Sequence, residues 1–172
     1  MEFLPNDMVI VNPLRVKRWI VDELESSIVL YFTGASRSSA VIIDEQRKNT
    51  SNGNKEAVEA MHRIKQSAVD MKTALLKGDV TSFARILGKA WEDKKKMAGA
   101  ISNPMIQEAF DVAMAAGAIA GKVSGAGGGG FIIFVVEPTK RRQVIEALNG
   151  LPGSTAGFQF SEGGTHGWKI YE

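Results

Sequence analysis

The sequence contains no cysteine, and that removes several chemistries at once. No disulfide framework, zinc–thiolate centre or thiol nucleophile can be built from it. The absence agrees with a reducing compartment. Histidine is nearly as scarce: His62 and His166 stand isolated, and no metal-ligand set or Ser-His-Asp arrangement can be assembled from the spacing. An excess of one charge is also missing, because 21 Lys and Arg face 19 Asp and Glu for a net charge of +2. So small a surplus gives no electrostatic reason for a nucleic-acid or membrane partner. No apolar run approaches the ~18 residues that a membrane span needs. The opening, with Glu2, Pro5, Asn6 and Asp7 behind Met1, is not a signal peptide. The expected location is therefore the cytoplasm, with no membrane and no nucleic acid as partner.

What remains is the composition of a globular protein, 44% apolar and 23% charged over 172 residues, enough for one domain with a real core. Residues 8–11 and 28–32 are short β-branched and aromatic runs and predict strands. A helix is expected over 36–49 and a polar break over 50–54. Ala57, Met61, Ile64, Ala68, Met71 and Leu75 recur at steps of four and three, one face of a long helix that Gly78 ends. Val80, Phe83, Leu87 and Trp91 continue that logic in a second helix. Asn103 followed by Pro104 predicts a capped helix start, with Ile106, Ala109, Phe110 and Ala113 as its buried stripe and Gly117 as its end. Beyond it, 119–124 and 131–136 read as strands, 139–149 as a short helix, and 158–160 with 168–171 as a closing hairpin around Gly163 and Gly164. That order predicts an α+β fold, an antiparallel sheet with helices packed on one face.

The most distinctive stretch is Lys122-Val123-Ser124-Gly125-Ala126-Gly127-Gly128-Gly129-Gly130. It contains G-x-G-x-x-G, but a dinucleotide site needs a helix after the loop. Here a strand follows, so that reading is excluded; no Gly-Lys-Ser/Thr follows either, which excludes a Walker loop. Four glycines in a row exceed what a two-residue turn requires. Bare backbone of this kind can offer successive N–H groups to an anion, the alternative being a bulged hairpin connection.

A second cluster, Thr33-Gly34-Ala35-Ser36-Arg37-Ser38-Ser39, gathers hydroxyls and a guanidinium where a strand gives way to a helix. It suits a sugar phosphate or another oxyanion, or else Ser36 caps the helix and Arg37 is solvated. A third, Trp91-Glu92-Asp93-Lys94-Lys95-Lys96, reads first as a solvated helix face.

Taken in order, these clusters resemble the C-terminal half of the GHMP kinases, small-molecule kinases that phosphorylate sugars, homoserine and mevalonate. Lys122 to Gly130 is similar to that family's C-terminal glycine loop. Thr33 to Ser39, with Glu45 and Gln46 behind it, resembles a segment of D-glycero-D-manno-heptose 7-phosphate kinases. So do Trp91, Glu92, Lys94 and Lys95, followed by Ile101-Ser102-Asn103-Pro104-Met105-Ile106. Glu2-Phe3 and Val9-Ile10-Val11-Asn12-Pro13-Leu14 look like the strand entering the domain. The likeness covers nearly the whole chain.

The resemblance implies a ferredoxin-like C-terminal kinase domain spanning residues 1–172. It also implies ATP and Mg2+ as cofactors of the intact enzyme and a phosphosugar as substrate. Thr33, Ser36, Arg37, Ser39, Lys94 and Lys95 would bind that substrate. Lys122, Ser124, Gly125, Ala126, Gly127, Gly128 and Gly129 would form the phosphate loop. No catalytic base and no metal ligand is expected here. The family's Pro-x-x-x-Gly-Leu-Gly-Ser-Ser nucleotide loop has no counterpart in the sequence, so the chain is expected to lack an N-terminal ATP-binding domain, to need it as a partner and to be inactive alone. Self-association through the exposed interface is a further expectation. The competing reading is a non-catalytic ferredoxin-like module for a ligand or RNA, suggested by Gly130-Phe131-Ile132-Ile133-Phe134.

Overall fold

The computed structural model describes residues 1–34, 39–161, 163–165 and 167–169. In chain order the elements are β1 (Glu2–Phe3), β2 (Val9–Ile10), α1 (Arg18–Ser27), β3 (Ile28–Phe32), α2 (Ser39–Ser51), α3 (Lys55–Lys77), α4 (Val80–Lys95), α5 (Pro104–Ala115), β4 (Ala118–Val123), β5 (Phe131–Val136), α6 (Arg141–Leu148) and β6 (Ser154–Ala156). Short 3-10 turns occupy Gly99–Ile101 and Pro138–Lys140.

β1 and β2 pair as a small hairpin, and the other strands form one antiparallel sheet in the order β4-β5-β3-β6. The sheet's first and third strands in sequence are thus central, and its second and fourth are edges, the ferredoxin-like order expected from the sequence. The strand content explains which ones are buried. Ile28-Val29-Leu30-Tyr31-Phe32 and Phe131-Ile132-Ile133-Phe134-Val135-Val136 carry no charged position, and both faces are packed except at Phe131, which is exposed. Val29, Tyr31, Ile132, Phe134 and Val136 meet Ile106, Ala109 and Ala113 of α5 and Val144 and Leu148 of α6. Ile28 and Val135 point the other way, to Leu24 of α1 and Val80, Ala84 and Leu87 of α4. Helices therefore cover both faces of the sheet, where the sequence suggested one. Burying a side chain such as Phe134 stabilises the fold by about 1.5–3 kcal/mol.

One irregularity sets up the site. The β4–β5 register skips a residue between Ala118 and Ala120, a bulge that exchanges the faces of β4. Ala118 joins the α5 cluster and Ala120 the α4 cluster. Beyond the bulge Lys122 lies opposite Ile133, which packs with the α4 cluster, so Lys122 shares the sheet face that α4 covers. Gly88 lets α4 come close to β4, since a Cβ there would sit 3.0 Å from that of Ala120.

The expected helix and strand positions recur with shifted ends. The helix expected over 36–49 is seen over Ser39–Ser51, so Thr50 and Ser51 are helical and the break follows them; residues 36–38 lie outside the described residues. Asn54, Asp79 and Asn103 cap α3, α4 and α5 by accepting from the N–H groups of Ala57, Ser82 and Ile106. The closing hairpin is a correction. Residues 158–161 are irregular, the Phe160 N–H donates to Glu25 of α1 at 2.7 Å, and the strand that completes the sheet is Ser154–Ala156. Ile170 and Tyr171 lie outside the described residues.

Candidate functional site

The glycine loop joins β4 to β5 at one end of the sheet, and its backbone is unlike that of an ordinary hairpin turn. Gly125, Gly127, Gly128, Gly129 and Gly130 all have positive φ, between 72° and 151°. Side-chain-bearing residues rarely adopt such angles. Gly127 has a second reason to be glycine: a Cβ there would lie 2.8 Å from the carbonyl oxygen of Ile101 and 3.0 Å from its Cα. Gly125 differs, with open space around its missing side chain.

Several tethers fix this shape. The Ser124 N–H donates to the Phe131 carbonyl at 2.7 Å, which closes the loop's base. Thr33, just past β3 and buried, donates its N–H to the Gly130 carbonyl at 3.0 Å and accepts the Gly130 N–H on Oγ1 at 3.1 Å. Gly128 donates its N–H to the Ile101 carbonyl at 2.9 Å. Asn103 uses both ends of its amide, Oδ1 capping α5 and Nδ2 donating to the Gly128 carbonyl at 3.1 Å. Finally, the Lys94 ammonium in the last turn of α4 donates to the Gly125 carbonyl. The N–H groups of Gly125, Ala126 and Gly129 meet no acceptor among the described residues.

The electrostatics favour an anion. Burial pushes the Lys94 ammonium below the usual lysine range, and the nearby positive charge of Lys122 pushes it further the same way. Burial likewise lowers Lys122. Two half-buried cations that destabilise each other, beside free N–H groups, are relieved by a negative ligand. Among the described residues no group of His, Cys, Asp and Glu could hold a metal ion. The N–H groups and ammonium groups at the loop suit a phosphoryl oxygen.

The sequence-selected residues separate into three groups. Thr33, Lys94, Lys122, Ser124, Gly125, Ala126, Gly127, Gly128 and Gly129 come together at the loop. Ser39 opens α2 and is exposed, and Lys95 pairs with Glu92 on its own helix at 2.8 Å. Ser36 and Arg37 lie outside the described residues. The Trp91–Lys96 stretch is only in part the solvated face that its charge suggested: Glu92 and Lys96 are exposed. Trp91 is buried and stacks on Phe110, and Asp93 is buried against Arg63 of α3 at 2.9 Å and Lys96 at 3.2 Å. Ile101 was missed as a loop partner because its contribution is a carbonyl, which no residue type announces. Asn103 was legible as a cap, but its second bond needs the fold.

Residues 71–152 match the family described as GHMP kinases C terminal. Over 170 residues, 99% of this chain and 50% of the relative, the sequence is 45% identical to the D-glycero-alpha-D-manno-heptose 7-phosphate kinase of Campylobacter jejuni. A crystal structure of a D-glycero-D-manno-heptose 1-phosphate kinase from Bacteroides thetaiotaomicron is 56% identical, with a TM-score of 0.69, covering 99% of this chain and 44% of that one. The mevalonate kinase of L. major, at 18% identity and a TM-score of 0.66 over 72% of this chain and 37% of that one, shares the fold. The chain thus spans about half the length of the heptose phosphate kinases it matches.

Proposed function

We propose that this chain, which carries the GHMP kinase C-terminal segment at residues 71–152 and resembles heptose phosphate kinases over nearly its whole length, is the C-terminal domain of an ATP-dependent sugar kinase. Its acceptor is D-glycero-D-manno-heptose 7-phosphate, on the way to a nucleotide-activated heptose. The domain is residues 1–172. Its partner is an N-terminal domain that holds ATP, Mg2+ and the general base, and the complete protein works in the cytoplasm. Among the described residues of this chain no helix is long and apolar enough to cross a membrane.

The observation that carries the reading is the glycine loop: positive φ at each of its five glycines, tethered at Thr33, Lys94, Ile101 and Asn103, with free N–H groups beside two lowered lysines. Phosphoryl transfer depends on positioning and on neutralising charge that moves between oxygens. The loop N–H groups and the Lys94–Lys122 pair supply fixed positive potential at one place. ATP and Mg2+, when bound in the complete enzyme, supply the phosphoryl group and its counter-charge. Ser36, Arg37 and Ser39 hold the phosphate already on the sugar, and the planar fork of Arg37 suits that task.

The RNA-binding alternative loses its main support in the fold. Ile132 and Phe134 of β5 are fully buried under α5 and α6, which leaves Phe131 as the one exposed aromatic of that strand, too little for the stacking platform of two or three bases that the reading needs.

A coupled assay of ADP release by the full-length protein tests the proposal. With heptose 7-phosphate, turnover at or above about 1 per second is expected; no release above background with either the 7-phosphate or the 1-phosphate of the heptose would refute it. The isolated 172-residue chain should show no transfer. Arg37→Lys should raise KM for the phosphosugar by about tenfold and leave KM for ATP unmoved.

A further inference from the structure

The tethers of the glycine loop fall on particular ends of particular peptide units, and this decides where the free N–H groups point. No peptide bond among the described residues is cis. In a planar trans unit the C=O and the N–H of the next residue point in opposite directions. A side chain that holds a carbonyl therefore turns the next N–H away from itself.

Two units of the loop are held in this sense. The Lys94 ammonium, in the last turn of α4, grips the Gly125 carbonyl, so the Ala126 N–H faces away from it. Asn103 Nδ2 grips the Gly128 carbonyl at 3.1 Å, so the Gly129 N–H faces away from the start of α5. Neither N–H meets an acceptor among the described residues. Two other units are held the opposite way. The Gly128 N–H donates to the Ile101 carbonyl at 2.9 Å and the Gly130 N–H to Thr33 Oγ1 at 3.1 Å, so both are spent inside the protein. The Ser124–Gly125 and Ala126–Gly127 units have neither end held among the described residues.

The grips matter because the chain here is almost all glycine. A glycine peptide turns over readily, since both signs of φ are open to it. Turned over, it would present the negative end of its carbonyl where the N–H had been, and would repel an anion. Ala126 has the one side chain between 125 and 130, a methyl packed against the α5 cluster.

We propose that Lys94 and Asn103 are positioning residues that set two N–H donors, those of Ala126 and Gly129, toward a phosphoryl group by holding the carbonyls behind them. Lys94 then works from behind the loop and not by direct contact with the phosphosugar. The inference rests on the function proposed above for the identity of the anion; the holding itself belongs to the fold.

The test uses the full-length protein with its alanine and glycine amides isotope-labelled for NMR, inorganic phosphate as the probe, and the coupled assay beside it. Asn103→Ser removes the Nδ2 donor, adds no charge and keeps a hydroxyl that caps α5; Asn103→Ala removes donor and cap together. Lys94→Met removes the ammonium and keeps most of the side chain's length. In the wild type, phosphate should shift the Ala126 and Gly129 amide signals. The readout is the ratio of the two shifts, which a general loss of affinity leaves unmoved. Asn103→Ser should depress the Gly129 response relative to that of Ala126 about fivefold or more, and Lys94→Met should change the ratio as much in the other direction. In both variants kcat with heptose 7-phosphate should fall about tenfold or more, with KM for the phosphosugar within about threefold. Asn103→Ser should melt within about 4 °C of wild type, and Asn103→Ala should share its kcat but melt lower. An unchanged shift ratio in a variant overturns the role of the residue replaced, and no response of either amide in the wild type overturns both. Full kcat in Asn103→Ser beside a loss in Asn103→Ala would mean that only the cap counts. A raised KM with kcat kept in Lys94→Met would make Lys94 a direct ligand. If the wild type transfers no phosphoryl group to any phosphoheptose, the functional reading fails instead, and the phosphate ratios still decide whether the two side chains aim the loop.

Discussion

Two turns in this molecule use left-handed backbone, and they use it in opposite ways. Between β1 and β2 the chain reverses over Pro5-Asn6-Asp7, with Asn6 at φ 65° and Asp7 at φ 58°. Asn and Asp reach such angles at modest cost because their short side chains bond locally. Nothing more is asked of that turn: its strands are two residues each and wholly exposed. Between β4 and β5 the reversal needs five left-handed glycines and is tied to α4, α5, β3 and the turn before α5. A hairpin can be closed without glycine, as the first turn shows. The glycines of the second turn therefore answer the need for bare backbone at fixed positions, close to Ile101 on one side and open to solvent at Gly125 on the other.

The largest expected effect comes from breaking that second turn where it is packed. Gly127→Val sets a branched side chain within 3.0 Å of Ile101 at φ 114°. Overpacking and left-handed strain together should cost about 3 kcal/mol or more. For a chain of this size that lowers Tm by roughly 6–12 °C. Activity of the complete enzyme should be lost along with stability. At Gly125 the two effects separate. Its Cβ would meet nothing, so Gly125→Ala should cost only the strain of φ 72°, about 1–2 kcal/mol. Yet it places a methyl where a phosphoryl group is proposed to approach, so kcat/KM should fall at least tenfold beyond what Tm accounts for. Parallel thermal scans and coupled assays decide it. Equal losses at the two positions would make Gly125 a structural glycine as well.

The contrast also shows where sequence reading succeeds. The glycine loop, the end of α3 at Gly78 and the Asn103-Pro104 start were legible because each depends on local rules: backbone freedom, a breaker, capping. The stripe expected along α3 was legible only in part: Ala57 is buried and Ile64, Met71 and Leu75 are half-buried, but Met61 and Ala68 are exposed and the other buried positions are Ala60 and Ala74. α1 was not. Its buried positions are Ile20, Leu24 and Ser27, a stripe with a serine in it, and it runs into β3 with no intervening breaker. β6 is Ser154-Thr155-Ala156, with no apolar alternation to announce it. Pairing with β3 and the Gly153 N–H bond to the Tyr31 hydroxyl at 2.9 Å hold it in place. Asp93 looked solvated because sequence proximity groups it with Lys94, Lys95 and Lys96, whereas its main partner, Arg63, is thirty positions away.

Asp93 offers a smaller test on the tethered side, one step behind Lys94. Burial opposes its charge, but Arg63 and Lys96 outweigh burial and hold its carboxyl below the ordinary 3.8. A carboxylate with a lowered folded-state value adds stability above its unfolded value. That stability disappears as pH falls through the folded one. Asp93→Asn should therefore lower stability by about 1–2 kcal/mol at pH 7, a figure kept small because Arg63 is half-exposed. The gap to wild type should narrow steadily below the ordinary aspartate value. Denaturant midpoints measured from pH 7 downward follow it, and a gap independent of pH would show that the carboxylate's charge plays no part.

The smallest effect is expected at the first turn, and its smallness is the point of the comparison. Val9 and Ile10 form β2 and are exposed, as are Phe3 and Val11 beside them. Val9 and Ile10 keep 45% and 38% of their surface in water, and Phe3 and Val11 keep more, so they add less to the stability of this chain than its core does. Val9→Ser/Ile10→Ser should lower Tm by no more than about 2–4 °C, since exposed substitutions of this kind change stability by ~0.5 kcal/mol each at most. Association is where the arm should matter. A contiguous apolar strip on an unpaired two-stranded edge is a surface on which a second molecule can settle. Sedimentation of the wild-type chain should show concentration-dependent self-association, and the double serine variant should remain monomeric over the same range. A drop in Tm of about 6 °C or more would mean that the arm packs against the domain after all. An unchanged sedimentation profile would remove the arm as the site of self-association and leave the glycine-loop end of the sheet as the surface to examine.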